Sequence, residues 1–208
     1  MDNTDLSLLS LKQNLRKEVR QKISAISDHI PEYSAAICNH ILQSDAYKNA
    51  SDLLVYMALP DEADLQPLID SAVHEKNIFI PKVNQTDNTI SFFKYSCNQM
   101  LSTGAFGIKE PQTDDSLYNF NPQNKTLIIV PGRAFSTDGS RLGRGKAFYD
   151  SFLKQARDVL NQNVVFCGVG FSVQFFDNIP QEAHDIKMDC LVNENGLIIP
   201  RSSCLPRS

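Results

Sequence analysis

The chain lacks an excess of basic residues. Its 208 residues include 20 lysines and arginines against 24 aspartates and glutamates, which leaves a formal net charge of -4 at pH 7. A protein that binds nucleic acid over much of its surface usually has the opposite balance. The composition therefore argues against a general nucleic-acid-binding protein, although it leaves room for a local cationic pocket.

Long apolar runs are also missing, and none approaches the length that crosses a bilayer. The first residues show no basic start followed by an apolar segment, so we expect no signal peptide. The five cysteines are scattered without a CxxC pair, which disfavours a zinc site and fits reduced thiols. We therefore expect a cytoplasmic protein without a membrane partner, whose cysteines are structural or lie on the surface. A catalytic cysteine is the alternative.

The sequence does contain an alternation of helical and strand-like patterns. Apolar residues recur at three- and four-residue steps from Leu8 to Ile26, which predicts an amphipathic helix. A second helix is predicted from Pro31 to about Ser44. Further helices are predicted within residues 60–76 and 146–160, and strands over residues 52–59, 77–83, 89–95, 125–132 and 163–171. The proline is expected to stop the strand at 77–83, and residues 184–200 are expected to form a turn and then a terminal strand or hairpin.

This alternation favours a mostly parallel sheet that is covered by helices. A length of 208 residues suits one α/β domain or at most two small ones. Because the sequence shows no internal repeat and no clear linker, we predict a single domain over residues 1–208. The polar tail at about 201–208 is expected to fray.

One loop combines features of a phosphate site. The apolar run that ends at Val130 leads into a stretch rich in glycine and in cationic residues, and a helix is predicted to begin near Gly145. Ligands of parallel α/β sheets bind beyond the carboxyl ends of the strands, and a helix N-terminus attracts anions. With Arg141, Arg144 and Lys146 adding positive charge, the loop is predicted to bind a phosphate or polyanion. The alternative is a solvated basic connection between strand and helix.

The loop matches neither of the two common phosphate motifs. A P-loop needs Gly, four residues and then Gly-Lys-Ser/Thr. Here Ser140 stands at the first glycine position, Gly139 lies one residue too far from Gly145, and Ala147 replaces the hydroxyl residue. A dinucleotide fingerprint would need glycine where the chain has Phe148.

Several motifs, in order along the chain, resemble those of one family. The segment "VPGRAFSTDGSRLGRGKAFYDSFL" at 130–153 is similar to the C-terminal signature of the 5-formyltetrahydrofolate cyclo-ligase family, also called 5,10-methenyltetrahydrofolate synthetases. Similar family segments are seen in "LKQNLRKEVRQ" at 11–21, "YMALPDEADLQPLI" at 56–69, "IPKV" at 80–83, "GIKEPQ" at 107–112 and "HDIKMDCLVNENG" at 184–196. The resemblance implies a three-layer α/β/α sandwich with a mostly parallel sheet, of the sugar-phosphate isomerase and CoA-transferase type.

The resemblance also implies an activity. Family members use ATP and Mg²⁺ to close 5-formyltetrahydrofolate, free or polyglutamylated, into 5,10-methenyltetrahydrofolate. The mechanism expected by analogy begins with attack of the formyl oxygen on the γ-phosphate, followed by attack of N10 on the activated carbon and loss of phosphate. A monomer is expected. The alternatives from the residues are a sugar-phosphate isomerase of similar fold and a non-catalytic protein that binds folate or nucleotide.

Site residues follow from the same resemblance. Arg144 and Lys146 are implied as catalytic, and Asp150 and Asp185 as magnesium ligands, with Asp189 either a third candidate or a structural partner of a turn. The implied ATP-binding residues are Lys12, Gln13, Asn14, Leu15, Arg16, Arg141, Leu142, Gly143, Arg144, Gly145, Lys146, Ala147, Phe148 and Tyr149. The implied folate-binding residues are Met57, Glu62, Arg144, Gly145, Lys146, Ala147 and Phe148.

Some of these residues have plainer interpretations, and two depart from the family pattern. Lys12 and Arg16, four apart on one helical face, are also typical of a solvated basic face. Met57 lies in a predicted strand, where a methionine is usually a core residue. The family usually has glycine at position 147 and tyrosine at 148, where this chain has Ala147 and Phe148. Activity is expected to survive both changes.

Overall fold

The structure is a computed structural model. It describes residues 3–84, 86–97, 101–104, 107, 109–111, 116–145, 148–182 and 185–200. The helices are α1 Asn3–Ala25, α2 Ile30–Gln43, α3 Asp45–Asn49, α4 Gln66–Ala72 and α5 Phe148–Leu160. The strands are β1 Asp52–Leu54, β2 Asn77–Asn84, β3 Thr89–Tyr95, β4 Ser102–Thr103, β5 Lys109–Glu110, β6 Thr126–Pro131, β7 Ala134–Ser136, β8 Arg141–Leu142, β9 Val164–Val169, β10 Phe175–Phe176, β11 Cys190–Asn193 and β12 Gly196–Ile198.

A seven-stranded sheet forms the centre of the molecule, in the order β12-β11-β9-β6-β1-β2-β3. Its five inner strands run parallel, whereas β3 and β12 pair antiparallel at the two edges. The predicted mostly parallel sheet is confirmed, and the end of the chain forms the hairpin that was one of the two predicted forms. The alternation pattern could not show that 89–95 pairs antiparallel, because β2 and β3 are joined by a short turn rather than by a helix.

Helices cover both faces of this sheet. Consecutive residues of β6 point to opposite faces, so Leu127 and Ile129 pack in one core cluster and Ile128 in the other. The first cluster includes residues of α1, α2 and α4, and the second includes Leu153 and Leu160 of α5. The result is the predicted α/β/α sandwich, with α1, α2 and α4 on one side and α5 on the other.

Two strand predictions were wrong in their bounds. The strand predicted over residues 52–59 is the three-residue β1, and the chain then leaves the sheet. The strand predicted to stop at the proline instead continues through Pro81 to Asn84. Pro81 is tolerated because the pairing of β2 with β1 ends at Phe79, so no ladder donor is needed on that side.

The phosphate-loop candidate also has more regular structure than the sequence indicated. After β6, the chain forms β7 and β8 as a short antiparallel pair, and β10 joins them in a three-stranded sheet. No helix within the described part of the chain is long and apolar enough to cross a membrane.

Candidate active site

Two cavities open side by side where the parallel strands end. Both are lined by residues that follow β1 and β6, as expected for the carboxyl edge of a parallel sheet. One, of about 330 Å³, has several charged residues in its wall and is called the charged cavity below. The other, of about 290 Å³, is lined mainly by apolar side chains and is called the apolar cavity. They share a wall made by Glu62, Pro131, Arg144, Phe148 and Tyr149.

Helix α1 contributes two cations to the charged cavity. Lys12 and Arg16 lie one turn apart, in line with the buried Val19, so the face that packs on the core also presents both cations. Lys12 Nζ lies 2.7 Å from Glu182 Oε1 and 3.7 Å from Asp185 Oδ2. Both cations therefore face the cavity, and Lys12 is buried, unlike a residue of a solvated basic face.

Arg16 differs from the other cations of this cavity. Its Nε donates to the backbone oxygen of Gly143 at 2.9 Å, and it forms no ion pair with a described residue. Burial lowers the pKa of the guanidinium, an effect that the negative charge of Glu182 opposes. An arginine remains charged at neutral pH under such a shift, so Arg16 contributes positive charge that no described carboxylate at ion-pair distance offsets.

The loop bends around this charge at Gly145. Its φ of +98° is a backbone conformation that glycine adopts readily and other residues disfavour. The Arg16 guanidinium carbon lies 3.5 Å from the position that a Cβ on Gly145 would take. The loop backbone and the Arg16 side chain thus approach each other closely at the charged cavity.

Arg141 lies at the base of the same cavity. One of its terminal nitrogens lies 2.5 Å from Asp150 Oδ1, and the other donates to the backbone oxygen of Pro131 at 3.3 Å. Its guanidinium carbon lies 5.8 Å from the centre of the Tyr149 ring. The buried Nε has no hydrogen-bond partner in the part of the chain that the structure describes.

A chain of charges crosses the shared wall. Arg144 lies 2.5 Å from Asp61 Oδ1 and 2.9 Å from Glu62 Oε1, and Arg133 lies 2.5 Å from Asp61 Oδ2. Burial raises the pKa of Asp61, but hydrogen bonds and charge from Arg133 and Arg144 outweigh that effect and hold it below its usual value. Asp61 therefore stays ionised and holds Arg144 at the junction of the two cavities.

Sequence reasoning missed Asp61 and Arg133. Asp61 directly precedes the predicted Glu62, and Arg133 follows the end of a buried strand, which is a position where charged residues often have a role. Arg133 is only 6% exposed. Its burial next to a carboxylate is a tertiary feature that the position alone does not reveal.

The apolar cavity has aromatic and aliphatic walls. Met57, Phe148 and Tyr149 line it and also pack against the core, so core packing does not prevent any of them from facing this cavity. Burial raises the pKa of the Tyr149 phenol, with a further rise from the charge of Glu62 and an opposing effect of Arg141. The phenol is therefore neutral at physiological pH and can act as a hydrogen-bond donor.

Two of the three predicted metal ligands line the charged cavity, whereas the third lies elsewhere. Asp150 and Asp185 both line the charged cavity. Asp189 instead lies 2.5 Å from a terminal nitrogen of Arg157 and accepts from the backbone N–H of Phe166, which agrees with its structural alternative. In the described ranges, no three His, Cys, Asp or Glu side chains form a metal-binding group. Mg²⁺ needs only one or two carboxylates when phosphate oxygens supply other ligands, so Asp150 and Asp185 fit this cation.

The comparisons with known proteins agree with these motifs. The model of the 5-formyltetrahydrofolate cyclo-ligase family matches residues 9–194. The chain belongs to this family. A probable 5-formyltetrahydrofolate cyclo-ligase from Schizosaccharomyces pombe is 31% identical over 201 residues, covering 91% of this chain and 98% of the relative. The mouse 5-formyltetrahydrofolate cyclo-ligase is 26% identical and covers 90% of this chain and 95% of its own.

A solved structure shows the same fold in this cyclo-ligase family. The NMR structure of Aquifex aeolicus 5,10-methenyltetrahydrofolate synthetase has a TM-score of 0.79 and 32% identity, with 95% of each chain covered. The predicted family and fold are therefore confirmed. Family and relatives together support 5-formyltetrahydrofolate cyclo-ligase activity for this chain.

The remaining predicted site residues of this cyclo-ligase chain are placed as follows. Leu142, Gly143 and Gly145 line the charged cavity. Gln13 and Asn14 are exposed, and Leu15 packs against the core, so none of the three lines either cavity. Lys146 and Ala147 lie outside the described residues, and their roles stay predictions. The described cysteines are Cys38, Cys97, Cys167 and Cys190, and none of them lines either cavity.

Proposed function

We propose that this protein closes 5-formyltetrahydrofolate into 5,10-methenyltetrahydrofolate in a reaction that consumes ATP, requires Mg²⁺ and releases ADP and phosphate. The observation that carries the proposal is the shared wall between the charged and apolar cavities, in a chain of the cyclo-ligase family. A triphosphate needs positive charge around it, whereas the faces of a ring pack against apolar side chains. Two adjoining compartments of opposite character would bring their reacting ends together.

The charged cavity suits the triphosphate. Lys12, Arg16 and Arg141 line it and supply positive charge. Lys12 and Arg141 are paired with carboxylates in the structure, so ATP would compete with Glu182 and Asp150 for them. Mg²⁺ held by Asp150 and Asp185 would offset part of the phosphate charge, which lets these carboxylates and the anionic ligand share one cavity.

The reaction itself would take place at the shared wall. The N5-formyl oxygen attacks the γ-phosphorus, the bond to the bridging oxygen breaks, and ADP leaves. N10 then attacks the formyl carbon, the carbon–oxygen bond to phosphate breaks, and the N10 proton is released. No protein nucleophile is needed, so the enzyme acts by positioning the two substrates and stabilising charge with Arg144 and its neighbours.

The proposal is tested by the absorbance of 5,10-methenyltetrahydrofolate. We expect the band to grow only when purified protein, 5-formyltetrahydrofolate, ATP and Mg²⁺ are all present, with one ADP released for each product molecule. Binding of folate and ATP without product would instead support a non-catalytic binding protein. Folded protein that neither binds nor converts the folate would support a different reaction on this fold, such as sugar-phosphate isomerisation.

Arg16 offers a direct test of the triphosphate assignment. We expect Arg16→Ala to raise KM for ATP by about 10- to 100-fold, because it removes a charge-assisted contact to phosphate. The variant leaves no described carboxylate without its ion-pair partner, so little stability should be lost. The matched control is Arg20→Ala, an exposed arginine one turn further along α1. An ATP KM equal to that of the control would contradict the assignment.

A further inference from the structure

The apolar cavity contains a carboxylate that the motifs did not identify. Glu110 is only 7% exposed and lines the apolar cavity together with Pro81, Val83 and Ile90. It ends β5, which pairs with β4 so that Glu110 lies opposite Ser102. No described lysine, arginine or histidine forms an ion pair with it at 4.0 Å or less. A carboxylate placed against apolar walls needs hydrogen-bond donors, and a ligand in the cavity can supply them.

The glycine opposite this carboxylate makes room for it. A Cβ built on Gly104 would lie 2.0 Å from the Glu110 carboxyl carbon and 2.1 Å from its Oε2. Any side chain at position 104 would therefore displace the carboxyl group. Glycine at position 104 thus leaves the space that the Glu110 carboxyl group occupies.

Glu62, which the family resemblance implies as a folate-binding residue, has protein partners for both of its oxygens. Its Oε1 accepts from Arg144 at 2.9 Å, and its Oε2 accepts from the backbone N–H of Leu59 at 3.0 Å. Both oxygens are thus directed at protein donors. Within the apolar cavity, this leaves Glu110 as the described carboxylate that is not directed at Arg144.

We propose that Glu110 is a specificity-determining residue that binds the 2-amino and N3–H donors of the substrate's pterin ring. These two donors are adjacent on the 2-amino-4-oxo edge and match the two oxygens of one carboxylate. The aliphatic side chains around Glu110 would cover the ring faces, and the N5-formyl group would point to the shared wall. This assignment rests on the proposed folate substrate and adds the contact that selects its ring.

The test compares two substrates in two proteins. For Glu110→Gln, we expect KM and the ATP-free Kd for 5-formyltetrahydrofolate to rise by about 10- to 100-fold, with KM for ATP unchanged. For an analogue without the 2-amino group, the Kd of the wild-type protein should be raised by a similar factor. The Glu110→Gln change should raise the Kd for this analogue little further. The control is Glu32→Gln on the exposed start of α2, whose side chain is 78% exposed.

The possible results separate the two proposals. Wild-type protein that turns over 5-formyltetrahydrofolate and binds the 2-desamino analogue equally well would overturn the role of Glu110, whether or not the variant folds. An unchanged folate Kd in folded Glu110→Gln would do the same. Wild-type protein that neither binds nor converts 5-formyltetrahydrofolate would instead overturn the proposed function, and the role of Glu110 would fall with it.

Discussion

Arg144→Ala is expected to lower kcat by about 10²- to 10³-fold while the protein remains folded. Among the described residues, Arg144 is the cation that lines both cavities, so it lies nearest to where phosphate and folate would meet. Asp61 and Glu62 hold its guanidinium in place before any ligand arrives. Charge that is positioned in advance stabilises a developing negative charge without a cost of reorganisation at the moment of reaction.

The stability of the variant can be argued from the same contacts. The Arg144 side chain is 34% exposed, and Asp61 keeps its second partner, Arg133, after the change. Glu62, whose side chain is 10% exposed, loses its arginine but keeps the hydrogen bond from the Leu59 backbone N–H. We therefore expect a fall in the urea midpoint that is small compared with the change in rate.

Arg144→Lys provides the intermediate case. Lysine keeps the positive charge but cannot reproduce the planar fork that contacts both Asp61 and Glu62, so we expect a smaller loss of kcat than in Arg144→Ala. Lys154→Ala, in an exposed ion pair with Asp158 on α5, is the matched control for loss of a cation. A tenfold rise in KM for ATP with unchanged kcat would contradict a role in the chemical step and indicate uniform binding instead.

Asp61→Asn is expected to destabilise the fold by about 2 kcal/mol at pH 7. Breaking a fully buried ion pair by removing one partner costs about 3–5 kcal/mol, and Asp61 is 31% exposed, which places it below that range. The cost arises because Arg133, only 6% exposed, would lose its carboxylate. The measurement is the free energy of unfolding from urea titrations of both proteins.

The effect should depend on pH in a defined direction. The pKa of Asp61 is lower in the folded protein than in the unfolded chain, so its contribution to stability is present above the unfolded value of about 3.9. That contribution is lost as pH falls through the folded pKa. The difference between wild type and Asp61→Asn should therefore be constant near neutral pH and shrink below about pH 4. A difference that persists unchanged at pH 2.5 would contradict the assigned ion pair.

Much of the fold was predictable because its signals are local. The three- and four-residue steps of α1 and the buried run of β6 both predict their element from neighbouring residues alone. The charged loop was predictable for the same reason, since its glycines and arginines follow that strand directly. By contrast, the end of β1 and the passage of β2 through Pro81 depend on which strands lie alongside, and these are partners distant in sequence.

The candidate site shows the same division. Lys12, Arg16, Arg141 and Arg144 were predicted from the motifs, and the structure brings all four into one cavity. Asp61, Arg133 and Glu110 were missed, because each matters through a neighbour distant in sequence or through burial. Gln13 and Asn14, implied as ATP-binding by the family resemblance, lie on exposed faces of α1, because only every third or fourth helical residue faces the same side.

The family, the main helices and strands of the sandwich, and the cationic loop can be predicted from short contiguous motifs. The meeting of a charged and an apolar cavity at Arg144 is visible only in the folded structure, as is the pairing of the two Asp61 oxygens with Arg133 and Arg144. The folded structure also decided that Glu110 faces an apolar wall. The physical reason is that a carboxylate's role depends on burial and on the charges around it, which are set when residues distant in the chain pack together.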